Sequence, residues 1–297
     1  MNLVTEDACI SGLLQAAVTL LEGYGIETAR VDAELLLGHC LDKSRTELYL
    51  AGAQRITGSQ QDLFIDMIAR RRRREPVAYI IGEREFWSRS FMVSPDVLIP
   101  RPETEFLVET ALRTKRKAGE PSLCLDLCCG SGVIAIIVAM ETGWPVIAAD
   151  ISHAALRVCK MNCQRLGVAD KVSVVQSDLA DGLAAQSRFD LIAANPPYVR
   201  HSEIVEKLEP EVAWYEPHVA LDGGEDGLEV IRRIAGTLPL LLKPGGEFFM
   251  EIGHDQGENA RNIFAGCPSR TLYQSVEVLK DYAGRDRIVH IRRTFNN

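Results

Sequence analysis

Three things are scarce in this 297-residue sequence: basic excess, long apolar runs, and cysteines at paired metal-ligand spacing. Lys and Arg number 33 against 41 Asp and Glu, a formal charge of -8. Proteins that grip a phosphate backbone carry the opposite imbalance, so no stable nucleic-acid partner is expected. The apolar stretches fall well short of the roughly 20 residues of a membrane-spanning helix, so no membrane partner is expected. Met1 to Ile10 carries Glu6 and Asp7 and has no basic segment followed by an apolar one. No secretory signal is read there, and a cytoplasmic location is expected. Eight cysteines are present, but no histidine sits beside the local clusters Cys124/Cys128 and Cys159/Cys163, and no CxxC pairs occur. In a reducing compartment they read as small buried apolar residues rather than disulfides or metal ligands. No metal is expected, and a monomer is.

What is present is ordinary globular material: 46% hydrophobic and 25% charged residues, enough for a catalytic domain and a smaller partner. Residues 1–84 read as a helical domain. Leu13, Leu14, Ala17, Leu20 and Leu21 recur at helical spacing, as do Val31, Leu35, Leu36 and Leu37 after a start at Thr28, and Leu63, Ile65, Met67 and Ile68. Residues 85–100 read as a connector. Phe86-Trp87 and Phe91-Met92-Val93 flank Ser88-Arg89-Ser90 as a short hairpin, and Pro95, Pro100 and Pro102 break regular structure. Residues 101–297 form the third part. Strands are predicted at 123–127, 146–150, 172–176, 191–194 and 247–252, with helices between, for example at 133–141 and 154–166. Late runs at 272–278 and 287–291 suit antiparallel strands closing the sheet. Short apolar strands alternating with helices indicate an α/β domain with a mostly parallel sheet.

The first of these strands runs through Asp126 into Cys128-Cys129-Gly130-Ser131-Gly132 and then a helix. Glycines there let backbone approach a ligand, and ligands of open α/β sheets sit beyond the carboxyl ends of the strands. The next strand ends at Asp150, where an acid can take both hydroxyls of a ribose. The third ends at Ser177-Asp178-Leu179, where Asp178 can accept from an adenine amino group and Leu179 can cover the ring. Each acid alone is ordinarily a solvated strand end; three consecutive strands ending this way favour an adenosine ligand. The turn does not fit G-x-G-x-x-G and lacks a Walker lysine, which disfavours a dinucleotide or a nucleoside triphosphate.

Asn195-Pro196-Pro197-Tyr198 follows the fourth strand. A planar NH2 group offers two donors and a delocalised lone pair. The Asn195 side-chain oxygen and the Pro196 carbonyl can accept the two N–H groups, the prolines stiffen the loop, and Tyr198 can stack on the planar substrate. Such a site works by orientation and electrostatics and needs no metal.

Asp126 to Gly132, Asp150 and Asn195 to Tyr198 resemble the class I methyltransferases that modify amino groups. Pro76 to Glu83, Glu85-Phe86-Trp87, Leu98-Ile-Pro-Arg101-Pro-Glu-Thr104-Glu105, Tyr215-Glu216-Pro217 with Leu221 to Leu228, and Glu251-Ile252-Gly253 narrow the resemblance to the peptide chain release factor glutamine N5-methyltransferases. It covers most of the chain. It implies a seven-stranded Rossmann-like sheet with S-adenosylmethionine held by Asp126, residues 128–132, Asp150, Asp178, Leu179 and Asn195. It implies that Asn195 to Tyr198 hold the glutamine of a release factor's Gly-Gly-Gln loop, that the helical domain helps dock the release factor, and that Phe86 and Arg101–Glu105 lie near the active site. The Asn-Pro-Pro-Tyr motif alone is shared with DNA adenine methyltransferases, so an exocyclic-amine methyltransferase is the alternative activity, and a non-catalytic adenosine-binding module a third reading. This chain departs from the family twice. Cys128 stands where Gly is usual, which weakens cofactor binding if that position needs a positive φ and costs little otherwise. Leu179 stands where many relatives have an aromatic residue. Arg70 to Arg74, five consecutive arginines, are expected to combine local pairing with an electrostatic dock.

Overall fold

The structure, a computed structural model, describes residues 9–113, 122–183 and 188–295. Glu6 and Asp7, read above for a leader, lie outside the described residues. The chain divides into two compact units, Met1–Glu83 with Glu209–Tyr215, and Arg84–Leu208 with Glu216–Asn297.

The first unit contains α1 (Ile10–Gly23), α2 (Ala29–Leu41), α3 (Arg45–Leu50), α4 (Gly58–Arg72) and α5 (Val77–Ile81). Its core takes the predicted positions Leu13, Leu21, Leu36, Leu37 and Ile68 together with Phe64, which the pattern did not name, whereas Val31, Leu35 and Leu63 of the predicted pattern are exposed. Ser44 and Glu47 open α3, and Thr57 and Gln60 open α4, each pair exchanging side-chain and backbone hydrogen bonds across the first turn. The arginine run is largely consumed inside this unit. Arg71 is buried and pairs with Asp32 at 2.7 Å and Glu211 at 2.8 Å. Arg74 also reaches Glu211, Arg70 pairs with Glu75, and the Arg72 guanidinium lies over the Tyr24 ring. These pairings draw the distant segment 209–215 into the helical unit, and Tyr215 completes the attachment by donating to the Arg73 carbonyl.

The second unit begins with a hairpin, β1 (Glu83–Phe86) and β2 (Arg89–Met92). Its turn is Trp87-Ser88, with φ of 53° and 54°. That is the two-residue turn with both central residues left-handed, adopted here without glycine. α6 (Pro102–Leu112) follows. Pro102, read as a breaker, instead starts this helix, because the first helical position has no N–H to satisfy.

Then come β3 (Cys124–Leu127), α7 (Val133–Thr142), β4 (Val146–Asp150), α8 (His153–Arg165), β5 (Val172–Gln176), β6 (Phe189–Ala194) and α9 (His201–Glu206). The short α10 (Pro210–Tyr215) belongs to the first unit. α11 (Glu229–Leu241), β7 (Leu242–Glu251), α12 (Gly257–Gly266), β8 (Tyr273–Lys280) and β9 (Asp286–Arg293) complete the chain.

β3 to β9 form one seven-stranded sheet in the order β5-β4-β3-β6-β7-β9-β8. The first five are parallel and β9 runs antiparallel to both neighbours, as the sequence pattern predicts. β3 and β6 are buried along their whole length, as central parallel strands covered on both faces must be. Alternation along β3 sends Cys124 to the core shared with α6, α7 and α8, and Leu125 and Leu127 to the core shared with α11 and α12. The winding reverses at β3, since the chain runs outward through β4 and β5 and then returns to the other side at β6. Open α/β sheets bind ligands at the carboxyl ends of the strands beside such a reversal.

Candidate active site

A cleft of about 450 Å³ opens there, lined by the ends of β3, β4, β5 and β6 and by the segments before α6 and after α10. Its volume suits a ligand of nucleoside size.

The turn after β3 forms one wall. Cys128, Gly130 and Gly132 all have positive φ, at 60°, 52° and 85°. At Gly132 a Cβ would meet Cys159 Sγ at 2.5 Å, so only glycine fits between this turn and α8. Buried Asn162 of α8 donates to the Ser131 carbonyl and exchanges two hydrogen bonds with Met92 of β2, which braces the turn from behind. Cys128, Cys129, Gly130 and Ser131 line the cleft, whereas Gly132 does not. The Cys128 thiol is pushed far up by burial and by the carboxylates of Asp150 and Asp126, so it is an unreactive thiol rather than a redox group. No cluster among the described residues could hold a metal ion.

Asp150 lies on the cleft wall and accepts from the backbone N–H groups of Gly130 and Ser152, both at 2.9 Å. Each carboxylate oxygen keeps a lone pair for a ligand hydroxyl. Asp178 and Leu179 also line the cleft, and Asp178 is paired with Arg233 of α11 at 2.9 Å. Asp126 is placed differently: it sits behind the turn, 1% exposed and off the cleft wall. Its Oδ2 accepts from Ala135 N, its Oδ1 has no partner among the described residues, and burial pushes its carboxyl up to about 8, helped by Asp150.

Asn195 and Pro197 face the cleft, while Pro196 is buried and Tyr198 lies off its wall. Asn195 Nδ2 donates to Thr104 Oγ1 at 3.1 Å. The amide oxygen on its other side has no partner among the described residues. Tyr198 Oη donates to Glu251 Oε1 at 3.1 Å, which fixes the ring that follows the prolines.

The segments that single out the resemblance turn out to build the seat of this loop. Gly223 and Gly227 approach Tyr198 so closely that a Cβ would meet its Cα at 2.8 Å and its carbonyl at 2.6 Å. Val199 exchanges backbone hydrogen bonds with Leu221 and Gly223, and buried Gln256 donates to both the Tyr198 and Gly227 carbonyls. Glu216, buried, accepts from Ile99 N at 3.1 Å and from Arg101 at 2.5 Å, which fixes the approach to α6 and with it Thr104. Burial raises the Glu216 carboxyl, and Arg101 opposes the rise. Phe86, placed near the site by the resemblance, is instead a core residue packed edge-on against Phe91 and off the cleft wall. Arg233, Gln256 and Glu251 carry no role in the sequence reading. Glu251 leaves a readable trace, as an acid ending the otherwise apolar run Phe248-Phe249-Met250.

Comparison with known proteins agrees with this architecture. Residues 12–82 match the PrmC N-terminal domain family and residues 102–214 the Methyltransferase small domain family. The chain is 38% identical over 290 residues to the Release factor glutamine methyltransferase of Nitratidesulfovibrio vulgaris, with 97% of each chain covered. It is 41% identical to the protein of that name from Cereibacter sphaeroides, covering 94% of this chain and 96% of that one. Among solved structures, it resembles a methyltransferase from Pyrococcus furiosus, with a TM-score of 0.51 and 17% identity over 80% of this chain and all (100%) of that one. It also resembles the hMettl16 catalytic domain in complex with a MAT2A 3′UTR hairpin, with a TM-score of 0.54 and 14% identity over 81% of this chain and 83% of that one. At such identities the two structures share the fold alone. The identity to the curated relatives extends through both the helical unit and the sheet, and the chain belongs to the release factor glutamine methyltransferase family.

Proposed function

We propose that this chain transfers a methyl group from S-adenosylmethionine to the side-chain amide nitrogen of the glutamine in the Gly-Gly-Gln motif of a peptide chain release factor. The observation that carries the reading is Asn195, which stands on the cleft wall with its NH2 group engaged by Thr104 and its oxygen available to an incoming N–H donor.

The cleft suits the methyl donor. The Cys128–Ser131 backbone, the Asp150 carboxylate and the Asp178-Leu179 pair supply, in order, a close backbone approach, acceptors for ribose hydroxyls, and an acceptor with an apolar cover for adenine. When bound, S-adenosylmethionine supplies an activated methyl on a positively charged sulfur. Asn195 Oδ1 and the Pro196 carbonyl accept the two amide N–H groups, turning the nitrogen lone pair toward the cleft. The same two acceptors stabilise the positive charge that the nitrogen gains before it releases one proton. Pro196 and Pro197 keep this geometry without rearrangement. Tyr198, expected from the sequence to stack on the amide, lies off the cleft wall and serves as the loop's anchor on Glu251, and the helical unit contributes to docking the release factor.

Labelled methyl donor is offered with purified release factor and, separately, with DNA, and the methyl is mapped by mass spectrometry. Label on the Gly-Gly-Gln glutamine is the expected result; label on adenine with none on the peptide would overturn the reading. Asn195→Ala is expected to lower turnover by at least about 100-fold while leaving the unfolding temperature unchanged, because it removes an orienting acceptor.

A further inference from the structure

The two sides of an asparagine amide differ in chemistry but hardly in shape, so a loop can bury the side chain either way round. A substrate N–H is accepted only if the oxygen faces the cleft. Something must decide which side faces out, and the prolines cannot, because they constrain backbone alone.

Asn195 Nδ2 lies 3.1 Å from Thr104 Oγ1, Thr104 Oγ1 lies 2.7 Å from Glu251 Oε2, and Tyr198 Oη lies 3.1 Å from Glu251 Oε1. Glu251 ends β7, Thr104 is in the first turn of α6, and both are buried, at 1% and 2% exposure. An ionised carboxylate only accepts hydrogen bonds. Its two oxygens therefore take the hydroxyl protons of Thr104 and Tyr198. With its proton committed, Thr104 can offer only a lone pair to Asn195, and only the NH2 side of the amide satisfies it. We propose that Thr104 and Glu251 form a one-way hydrogen-bond relay that holds the Asn195 oxygen toward the cleft, making them positioning residues for the methyl acceptor. The same carboxylate anchors Tyr198, so one buried charge orients both ends of the Asn-Pro-Pro-Tyr loop.

The relay has a direction only while Glu251 is ionised. A protonated Glu251 can donate to Thr104, which frees the Thr104 proton for the Asn195 oxygen and turns the amide over. Burial raises the Glu251 carboxyl above the ordinary glutamate value. The Thr104 and Tyr198 hydroxyls and the Arg287 guanidinium of β9 lower it, and Glu103 of α6 raises it. Activity should therefore carry an acid limb, falling as pH drops through the Glu251 pKa.

The inference rests on Asn195 as the amide ligand, so its test includes a readout that needs neither substrate nor cofactor. In cofactor-free protein, the Asn195 side-chain NH2 resonances, assigned by their loss in Asn195→Ala, are followed against pH. They are expected to move with a single midpoint that vanishes in Glu251→Gln, and to lose their hydrogen-bonded shift in Thr104→Val. In steady-state assays of the folded protein Thr104→Val should lower kcat by about 10- to 100-fold with KM for the methyl donor unchanged. Thr104→Ser, which keeps the hydroxyl, should recover most of that loss. Resonances insensitive to both substitutions, or an acid limb that persists in Glu251→Gln, would overturn the relay even if methyl transfer proceeds. Absence of transfer in the unmodified protein, with the resonances behaving as expected, would instead count against the proposed substrate.

Discussion

Cys128 holds a left-handed backbone at φ 60° on the wall of the cleft, a conformation that suits glycine. For a residue with a Cβ that conformation costs about 1–2 kcal/mol. The surrounding turn imposes it, since Gly130 and Gly132 share the positive φ and α8 closes off movement behind them. Cys128→Gly is therefore expected to raise the unfolding free energy by about 1 kcal/mol and to tighten binding of the methyl donor, read by urea denaturation and calorimetric titration. An unchanged denaturation midpoint would show that thiol packing offsets the strain. Leu179 is the second such residue in the cleft, left-handed at φ 49° and buried at 8% exposure. The identities of both residues are plain in the sequence; their backbone angles are not, because φ depends on where the flanking strands deliver the chain.

The arginine run separates pattern from packing at the level of a helix. Five consecutive arginines at the end of α4 look like a solvated, cationic face. The helix instead rotates Arg71 into the unit, where Asp32 of α2 and Glu211 of α10 surround its guanidinium. Arg72, one position on, is exposed and lies over the Tyr24 ring. Removing Arg71 leaves two carboxylates without their buried partner, and Arg71→Ala is expected to destabilise the protein by about 3 kcal/mol. Arg72→Ala should cost no more than about 1 kcal/mol, as an exposed cation–π contact does. Equal effects in urea denaturation would refute the buried role. Pro102 teaches a related lesson. Proline breaks a helix interior but suits a first turn, and only the residues after it, with Leu107, Val108 and Ala111 facing the core, show which applies.

Across the whole molecule the carboxyls of the catalytic unit set an unusual response to pH. Asp126, Asp150, Glu216 and Glu251 are all raised by burial, Asp126 to about 8. A carboxyl whose folded pKa lies above its unfolded value binds more protons in the folded state between the two values. Stability from it is present at low pH and is lost as pH rises through the folded pKa. For Asp126 that window runs from its ordinary value of 3.8 to about 8, with a slope approaching about 1.4 kcal/mol per pH unit. Asp126→Asn keeps the shape and removes the ionisation. Thermal denaturation of the cofactor-free protein from pH 5 to 8 should therefore show a shallower loss of stability in the variant than in the unmodified chain. Parallel curves would mean that Asp126 ionises freely.

Sequence alone determined the α/β class, the order of the five parallel strands along the chain and the chemistry of the acceptor motif. These follow from local periodicity and from residue types whose geometry travels with them: apolar strands, glycine at a tight turn, and two prolines beside an asparagine. The family resemblance added the seven-stranded sheet and the nature of the acceptor. Only the tertiary structure decided which acids face the cleft and which lies behind it, since Asp126 and Asp150 both stand at or near the ends of parallel strands and differ in burial rather than in pattern. It alone also brought Thr104, Asn195 and Glu251 together from α6, the end of β6 and the end of β7. Their separations of 91 and 147 residues leave no trace in any local window. The direction of the hydrogen bonds among them depends on a charge that the fold buries and the sequence only names.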